Sequence, residues 1–258
     1  CDQLAPPQFM YSMLTRSQRI SHENLRLRDA AWLGGFERWF AQAAGLALAD
    51  GQAAPPPMFT PYRVRGLTLK NRVIVSPMAQ YSAVDGLPGD YHLVHLGARA
   101  MGGAALVFAE MTCVSADGRI TPGCPGLYTA EQTDAWRRIV SWVHAHSDAK
   151  FGMQLGHAGA KASTRVAWEG TDLPLPEGNW PIVSASPQQY LPGISQIASE
   201  MTEAQMAEVL AQFVASTRAA AEIGVDWLEL HCARGYLLSS FISPLTNQRG
   251  DAYGGSLD

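Results

Sequence analysis

Hydrophobic positions along this chain follow two rhythms. Short apolar runs read as strands, and the longer stretches between them carry apolar residues at helical spacing. Val73-Ile74-Val75-Ser76 is the first compact run, closed by Pro77-Met78. Tyr91 to Met101 is helical in pattern and stops at Gly102-Gly103. Ala105 to Ala109 forms the second strand. Glu131 to His146 sets Trp136, Ile139, Val140 and Val143 on one helical face, with Thr129 and Gln132 spaced as a capping box. Phe151 to Leu155 is the third strand. Thr202 and Gln205 repeat the capping-box spacing, and Met201 and Met206 have that of a hydrophobic staple. Met206, Leu210, Phe213 and Ala220 make the stripe predicted to be buried. Gly224 ends that helix, and Trp227-Leu228-Glu229-Leu230 is the fourth strand. Strands alternating with helices predict an α/β fold with a parallel sheet and right-handed crossovers. No GxGxxG follows the first strand, which favours a (β/α)₈ TIM barrel, represented by about its first four βα units, over a dinucleotide-binding sheet.

Ahead of this rhythm the pattern differs. Residues 47–58, ALADGQAAPPPM, are small, Pro-rich and nearly uncharged, and read as a semi-rigid linker. Before it, Trp32, Phe36, Trp39 and Phe40 are spaced for one face of a helix. Residues 1–46 are therefore read as the helical tail of an upstream domain, and residues 59–258 as the barrel portion. The chain opens at Cys1 and stops at Asp258 inside the barrel pattern, so it is expected to be a piece of a longer polypeptide. Phe59 to Lys70 predicts a short hairpin turning at Arg65-Gly66. Two connections, Met111 to Ala130 and Gly156 to Met201, are long enough to suggest functional loops.

Composition narrows the classes. A hydrophobic content of 47% supports a sizeable core, and a net charge of −4 argues against a nucleic-acid footprint. No apolar run approaches the roughly 18 residues of a membrane span, and no secretory signal opens the chain. Cys1, Cys113, Cys124 and Cys232 form no close metal-type pair, which predicts a reduced, cytoplasmic protein. His92 and His95 lack a third ligand at usual spacing, so no metal is expected. His144 and His146 read as solvated cations at a helix end. Arg249, Asp251 and the Gly pair after them read as an ion pair and turn that fix the loop beyond the fourth strand.

The candidate chemistry gathers at the strand ends. The first strand delivers Ser76, Pro77, Met78, Ala79, Gln80 and Tyr81, and the second Glu110 and Met111. The third delivers Gln154 and His157, and the fourth His231, Arg234 and Tyr236. Taken singly, Met78 and Met111 read as ordinary core, and His231 as a hydrogen-bonded interior residue. Together they suit a flat, amphipathic heteroaromatic cofactor. Pro and Met offer apolar surface, a Gln amide offers donor and acceptor, His and Arg offer positive potential, and Tyr offers a proton. Lys161 and Arg165 are either solvated or hold an anionic substrate tail.

At these residues the chain resembles the Old Yellow Enzyme family of FMN-dependent NAD(P)H oxidoreductases. The motifs are FTPYRVRGLTLKNRVIVSPMAQYSA (59–83), GRIT (118–121), MQLGHAGAKA (153–162), LELHCARGYLLSSFISPLTNQR (228–249) and DAYGGS (251–256). The resemblance implies non-covalent FMN at the C-terminal mouth of a TIM barrel, NAD(P)H as reductant and a homo-oligomer. It places Pro77, Met78 and Ala79 against the isoalloxazine, with Ser76 and Met111 in the same cofactor set. It gives Gln154 the pyrimidine edge, and His231 the substrate oxygen or the flavin edge beneath it. Tyr236 becomes the proton donor, Tyr81 a substrate contact and Arg234 a catalytic neighbour. The contacts to the FMN phosphate fall in the other barrel half. The chain departs from the family pattern at Ala79, where many bacterial relatives have Cys or Thr, and at Arg234, where many have a second His.

A second resemblance covers Arg16-Ser17-Gln18-Arg19-Ile20-Ser21-His22-Glu23-Asn24-Leu25-Arg26-Leu27-Arg28-Asp29, which looks like the C-terminal end of a flavoprotein aromatic-ring monooxygenase. The order of the two pieces resembles the bifunctional salicylyl-CoA 5-hydroxylases and 2-aminobenzoyl-CoA monooxygenase/reductases. It implies an upstream FAD domain and an aromatic or unsaturated acyl-CoA substrate. A free-standing ene-reductase of small enones, or a flavin-free scaffold, remain the alternatives.

Overall fold

The computed structural model describes residues 5–15 and 29–255. They form two compact units. The first holds the described residues up to Ile74, joined by Gly102–Leu106; the second holds Val75–Met101 and the residues from Val107 onward.

In the first unit, helix α1 spans Pro6–Thr15 and α2 spans Ala30–Ala43. Asp29 caps α2, its side chain accepting the N–H of Trp32 at 2.8 Å. The aromatics meet one another along the helix, as their spacing predicts, apart from the buried positions. Leu33, Glu37 and Ala41 are buried, whereas Trp32 and Trp39 are 50% and 61% exposed. The rings lie on the adjoining stripe. There Trp32 stacks on Phe36 and Phe36 meets Phe40 edge-on. The monooxygenase-like stretch up to Arg28 lies outside the described residues. No helix or strand occupies residues 47–56, and a 3₁₀ turn follows at Pro57–Phe59. The hairpin forms as its pattern predicts. Strands β1 (Tyr62–Val64) and β2 (Leu67–Leu69) pair antiparallel, and Arg65 takes a φ of 52° at the turn.

Strand β3 (Ile74–Val75) opens the main sheet. It is followed by α3 (Asp90–Met101), β4 (Leu106–Cys113), α4 (Ala130–His146) and β5 (Lys150–Gly156). Next come the short α5 (Ala167–Gly170) and strands β6 (Val183–Ser184), β7 (Gln188–Gln189) and β8 (Ile197–Glu200). Helix α6 (Glu203–Glu222), β9 (Trp227–Leu230) and α7 (Leu237–Ile242) complete the series. The main sheet runs in the order β3-β4-β5-β9, so strands successive in the βα rhythm lie side by side. β5 and β9 pair parallel, with Gln154 opposite Glu229. Both predicted capping boxes form, at Thr129/Gln132 and Thr202/Gln205. Gly224, at a φ of 87°, follows the end of α6 as expected.

Three expectations are corrected. β4 runs on to Cys113, so Met111 lies within the strand and the following loop begins later. All eight of its positions are buried, leaving no alternation to mark an end. The connection between β5 and α6 is not bare loop. It carries a second, three-stranded sheet of order β6-β8-β7 whose strands are too short to show a period. On α6 the buried residues are Phe213, Ser216 and Ala220, while Leu210 is 65% exposed. Leu210 and Met206 instead line an open apolar cleft with Val214, Leu237, Phe241 and Tyr253. The packed face shifts because the small Ser216 reaches in, its hydroxyl donating to the Leu127 carbonyl at 2.8 Å.

The pair Arg249–Asp251 forms as predicted. The Arg249 guanidinium donates to Asp251, and also to the carbonyls of Ala185 and Met201 at 2.9 and 2.8 Å. Among the described residues, no helix is long and apolar enough to cross a membrane, and no cluster of His, Cys, Asp or Glu is placed to hold a metal.

Candidate active site

The parallel pairing of β5 and β9 brings their C-terminal ends to one lip. Beyond β3 the chain turns at Tyr81, whose φ of 50° is left-handed. For a bulky side chain this costs on the order of 1–3 kcal/mol and marks a held conformation. The Tyr81 ring packs against a buried cluster that includes Met111, Cys113, Cys124 and Tyr236. Burial pushes its hydroxyl up to about 12, helped by Cys124, Asp172, Glu110 and Cys113.

At the end of β9, His231 and Tyr236 meet edge-on, their ring centroids 4.6 Å apart. The Nδ1 of His231 accepts the Ala233 N–H at 3.3 Å, which leaves the proton on Nε2. Burial lowers the His231 pKa, and Arg234 and Lys161 lower it further against the pull of Glu229. Its neutral form is therefore favoured. Tyr236 is raised above its ordinary range, first by burial and then by Tyr81 and Cys124. Arg234 is exposed and takes a φ of 57°. The Nζ of Lys161 lies 4.3 Å from the Tyr190 ring centroid and 5.4 Å from that of Tyr236.

Gln154, 8% exposed, donates its amide N–H to Glu229, its register partner on β9. Met111 packs so closely on β5 that a Cβ at Gly156 would stand 2.5 Å from its sulfur. On the other side, Met78 is 67% exposed and Ser76 and Ala79 are exposed. The structure thus gathers Tyr81, Met111 and Tyr236 in one cluster, joins His231 to Tyr236, and seats Gln154 against Glu229. Ser76, Met78 and Ala79, with the half-buried Pro77, form the rim beyond β3.

Sequence reasoning missed three arrangements. Glu110 and His92 pair in the interior at 3.1 Å. Cys113 and Cys124 are free thiols that face each other within hydrogen-bond reach, because the loop after β4 returns and Cys113 N–H donates to the Pro125 carbonyl at 2.9 Å. Burial and the hydrogen bond to Cys124 push the Cys113 thiol up. Cys124 is lowered, since bonds from Cys113 and Thr121 outweigh its burial. Third, His157 accepts the Gly159 N–H at Nδ1, while its buried Nε2 has no partner closer than Asp117 at 4.0 Å. Burial lowers its pKa to about 4, so it is neutral near pH 7. The only signal for the first two was a Glu and a Cys inside a mostly apolar strand.

The residues fit a flavin ring. An exposed thioether and a small Ala79 offer apolar surface. The Gln154 carbonyl oxygen, whose amide nitrogen is already used, remains open to a ring N–H. A four-stranded sheet in this order, with chemistry-bearing side chains at its strand ends, is an α/β arrangement of the kind found in βα barrels. Residues 57–258 match the NADH:flavin oxidoreductase / NADH oxidase family, and the chain belongs to it. An NADH:flavin oxidoreductase of Gibberella zeae is 40% identical over 205 residues, which cover 78% of this chain and 49% of that protein. An NADPH dehydrogenase of Geobacillus sp. is 38% identical over 201 residues, covering 77% and 54%. Among solved structures, morphinone reductase superposes with a TM-score of 0.68 at 27% identity, covering 77% of this chain and 54% of that one. The Old Yellow Enzyme homologue of Zymomonas mobilis gives 0.65 at 27% identity, covering 77% and 55%. The chain therefore spans about half the length of the curated relatives it matches.

Proposed function

We propose that these residues form the first half of an FMN-dependent, ene-reductase-like NAD(P)H oxidoreductase acting on an unsaturated or dearomatised acyl-CoA. The observation that supports it is the grouping of Tyr81, His231 and Tyr236 at the strand ends. In this reading residues 59–258 belong to the reductase domain, residues 47–58 to a linker, and residues 1–46 to an upstream FAD-dependent monooxygenase domain of the same chain. The assembly is a cytoplasmic homo-oligomer.

Bound FMN supplies a hydride, renewed from NAD(P)H. Pro77, Met78, Ala79 and Met111 would give its ring apolar surface, Ser76 would lie beside it, and Gln154 would bond its polar edge. His231 holds its Nε2–H toward a substrate carbonyl oxygen and polarises it. Tyr236 keeps its proton at neutral pH, as its raised pKa requires, and delivers it to the carbon. Tyr81 walls the substrate from the β3 side. Arg234 adds a fixed charge that a neutral His would lack. Lys161, set over two Tyr rings and without an acidic partner among the described residues, adds to it.

Two measurements test the reading in the complete protein. Gln154→Leu removes a bond to the ring and is expected to weaken FMN by about 1–3 kcal/mol. Fluorescence titration of FMN reads this, and an unchanged affinity means that Gln154 does not face the ring. Arg234→His is expected to lower kcat/KM about tenfold for an aromatic acyl-CoA, a charged hydrogen bond being worth about 1.5–3 kcal/mol, and to leave cyclohexenone nearly unaffected. Equal losses on both substrates would return the site to small neutral enones.

A further inference from the structure

The Tyr81 turn is held from two sides. Gly123 lies so close that a Cβ there would stand 2.5 Å from the Tyr81 carbonyl oxygen. On the other side is a buried carboxylate. The Oε2 of Glu110 accepts the backbone N–H of Gln80 at 2.8 Å and that of Tyr81 at 3.4 Å. Its Oε1 lies 3.1 Å from Nε2 of His92. The Nδ1 of His92 accepts the Gly89 N–H at 3.2 Å, so the ring proton sits on Nε2 and is donated to Glu110. Glu110 and His92 are only 4% and 2% exposed. A buried carboxylate that loses a donor is left with an unsatisfied acceptor, so each donor fixes its direction.

We propose that Glu110 is a positioning residue for the candidate site, oriented by His92, and that the pair sets where the Tyr81 ring stands beside Tyr236. A left-handed tyrosine persists only where its surroundings over-determine it. Two main-chain bonds to one oriented carboxylate meet that need. Gln80 reinforces the turn, since its Nε2 donates to the Met78 carbonyl at 2.9 Å and its Oε1 accepts the Tyr91 hydroxyl at 2.8 Å. Neither Glu110 nor His92 touches the substrate in this arrangement. Their influence passes through the backbone at residues 80 and 81.

The first test needs neither cofactor nor turnover. The Tyr81 phenol is titrated by ultraviolet absorbance, as the difference between each protein and its Tyr81→Phe counterpart. His92→Phe leaves the Glu110 side chain in place and removes its orienting donor. It is expected to move the Tyr81 titration down from about 12 toward the ordinary 10.0, as the ring loses burial. His92→Gln returns an N–H to Glu110 and is expected to restore it. Glu110→Asp keeps a carboxyl group, shortens the reach and is expected to repeat the His92→Phe shift. A lower melting temperature with an unmoved Tyr81 titration in both His92→Phe and Glu110→Asp overturns the proposal. The second test rests on the function proposed above. In the complete enzyme, His92→Phe is expected to raise KM for the unsaturated substrate about tenfold, the scale of a small misplacement, with kcat changed less. A shifted titration with an unchanged KM keeps the positioning role and removes Tyr81 from the substrate site.

Discussion

Tyr236→Phe is expected to slow reduction of an unsaturated acyl thioester by about 10²–10⁴-fold, the usual contribution of a placed general acid. The substitution removes one atom and leaves the packing in place. The ring still meets His231 at 4.6 Å and still lies under Lys161. What disappears is a proton donor whose pKa burial has raised, with Tyr81, Cys124 and Asp172 adding to the rise and Arg234 opposing it. Because the hydroxyl is raised above its ordinary range, it stays protonated across neutral pH, and the rate should show no titration of this group there. Oxidation of NAD(P)H with ferricyanide, which needs no proton at carbon, is expected to keep its rate. Parallel assays with the two acceptors check this. Equal losses with both would make Tyr236 a structural member of the cluster.

Much of the scaffold was legible because it rests on local rules. The capping boxes at Thr129 and Thr202, the left-handed Gly224 and the hairpin turn at Arg65 each need only a few neighbouring residues, and each formed. What escaped depended on packing at a distance. β4 is buried at every position, so its pattern carries no end mark, and Met111 was placed beyond a strand that contains it. The second sheet consists of strands of two to four residues, below the length at which alternation can be read. On α6 the helical period was right and Phe213 and Ala220 are buried as expected, whereas Leu210 turns to an open cleft and Ser216 packs in its place. Helical spacing fixes which residues share a face, whereas the neighbour decides which face packs.

The candidate site shows the same division. His231, Arg234 and Tyr236 lie within six residues, so their grouping at the end of β9 could be read from the chain. Gln154 and Glu229 are 75 positions apart and meet only because β5 and β9 pair in that register. His92 reaches Glu110 only when α3 docks on β4, which is why its spacing to His95 drew attention first. Both arrangements put an acidic side chain inside a hydrophobic strand. Such a residue signals that a partner must exist without revealing which one it is.

Trp136→Ala is expected to cost about 3–5 kcal/mol of stability, in the range of large aromatic truncations in a core. Trp136 is fully buried on α4 and its indole N–H donates to the Gly126 carbonyl at 3.1 Å. Its ring meets His92 edge-on at 5.9 Å and Phe151 at 6.3 Å. One side chain thus ties α4 to β5, to the loop returning from β4 and to the histidine that orients Glu110. Truncation leaves a cavity among close-packed neighbours and an unpaired carbonyl at Gly126. Trp136→Phe keeps most of the ring and loses only the donor, so it should cost nearer 1–3 kcal/mol, the penalty of one unsatisfied buried group. Urea melts of the three proteins give both differences. The link to His92 adds a second readout, since the cavity frees that ring to move away from Glu110. Trp136→Ala should therefore also lower the Tyr81 titration, and Trp136→Phe should leave it nearly in place. Loss of stability alone, with Tyr81 unmoved, would confine Trp136 to the core and separate it from the site.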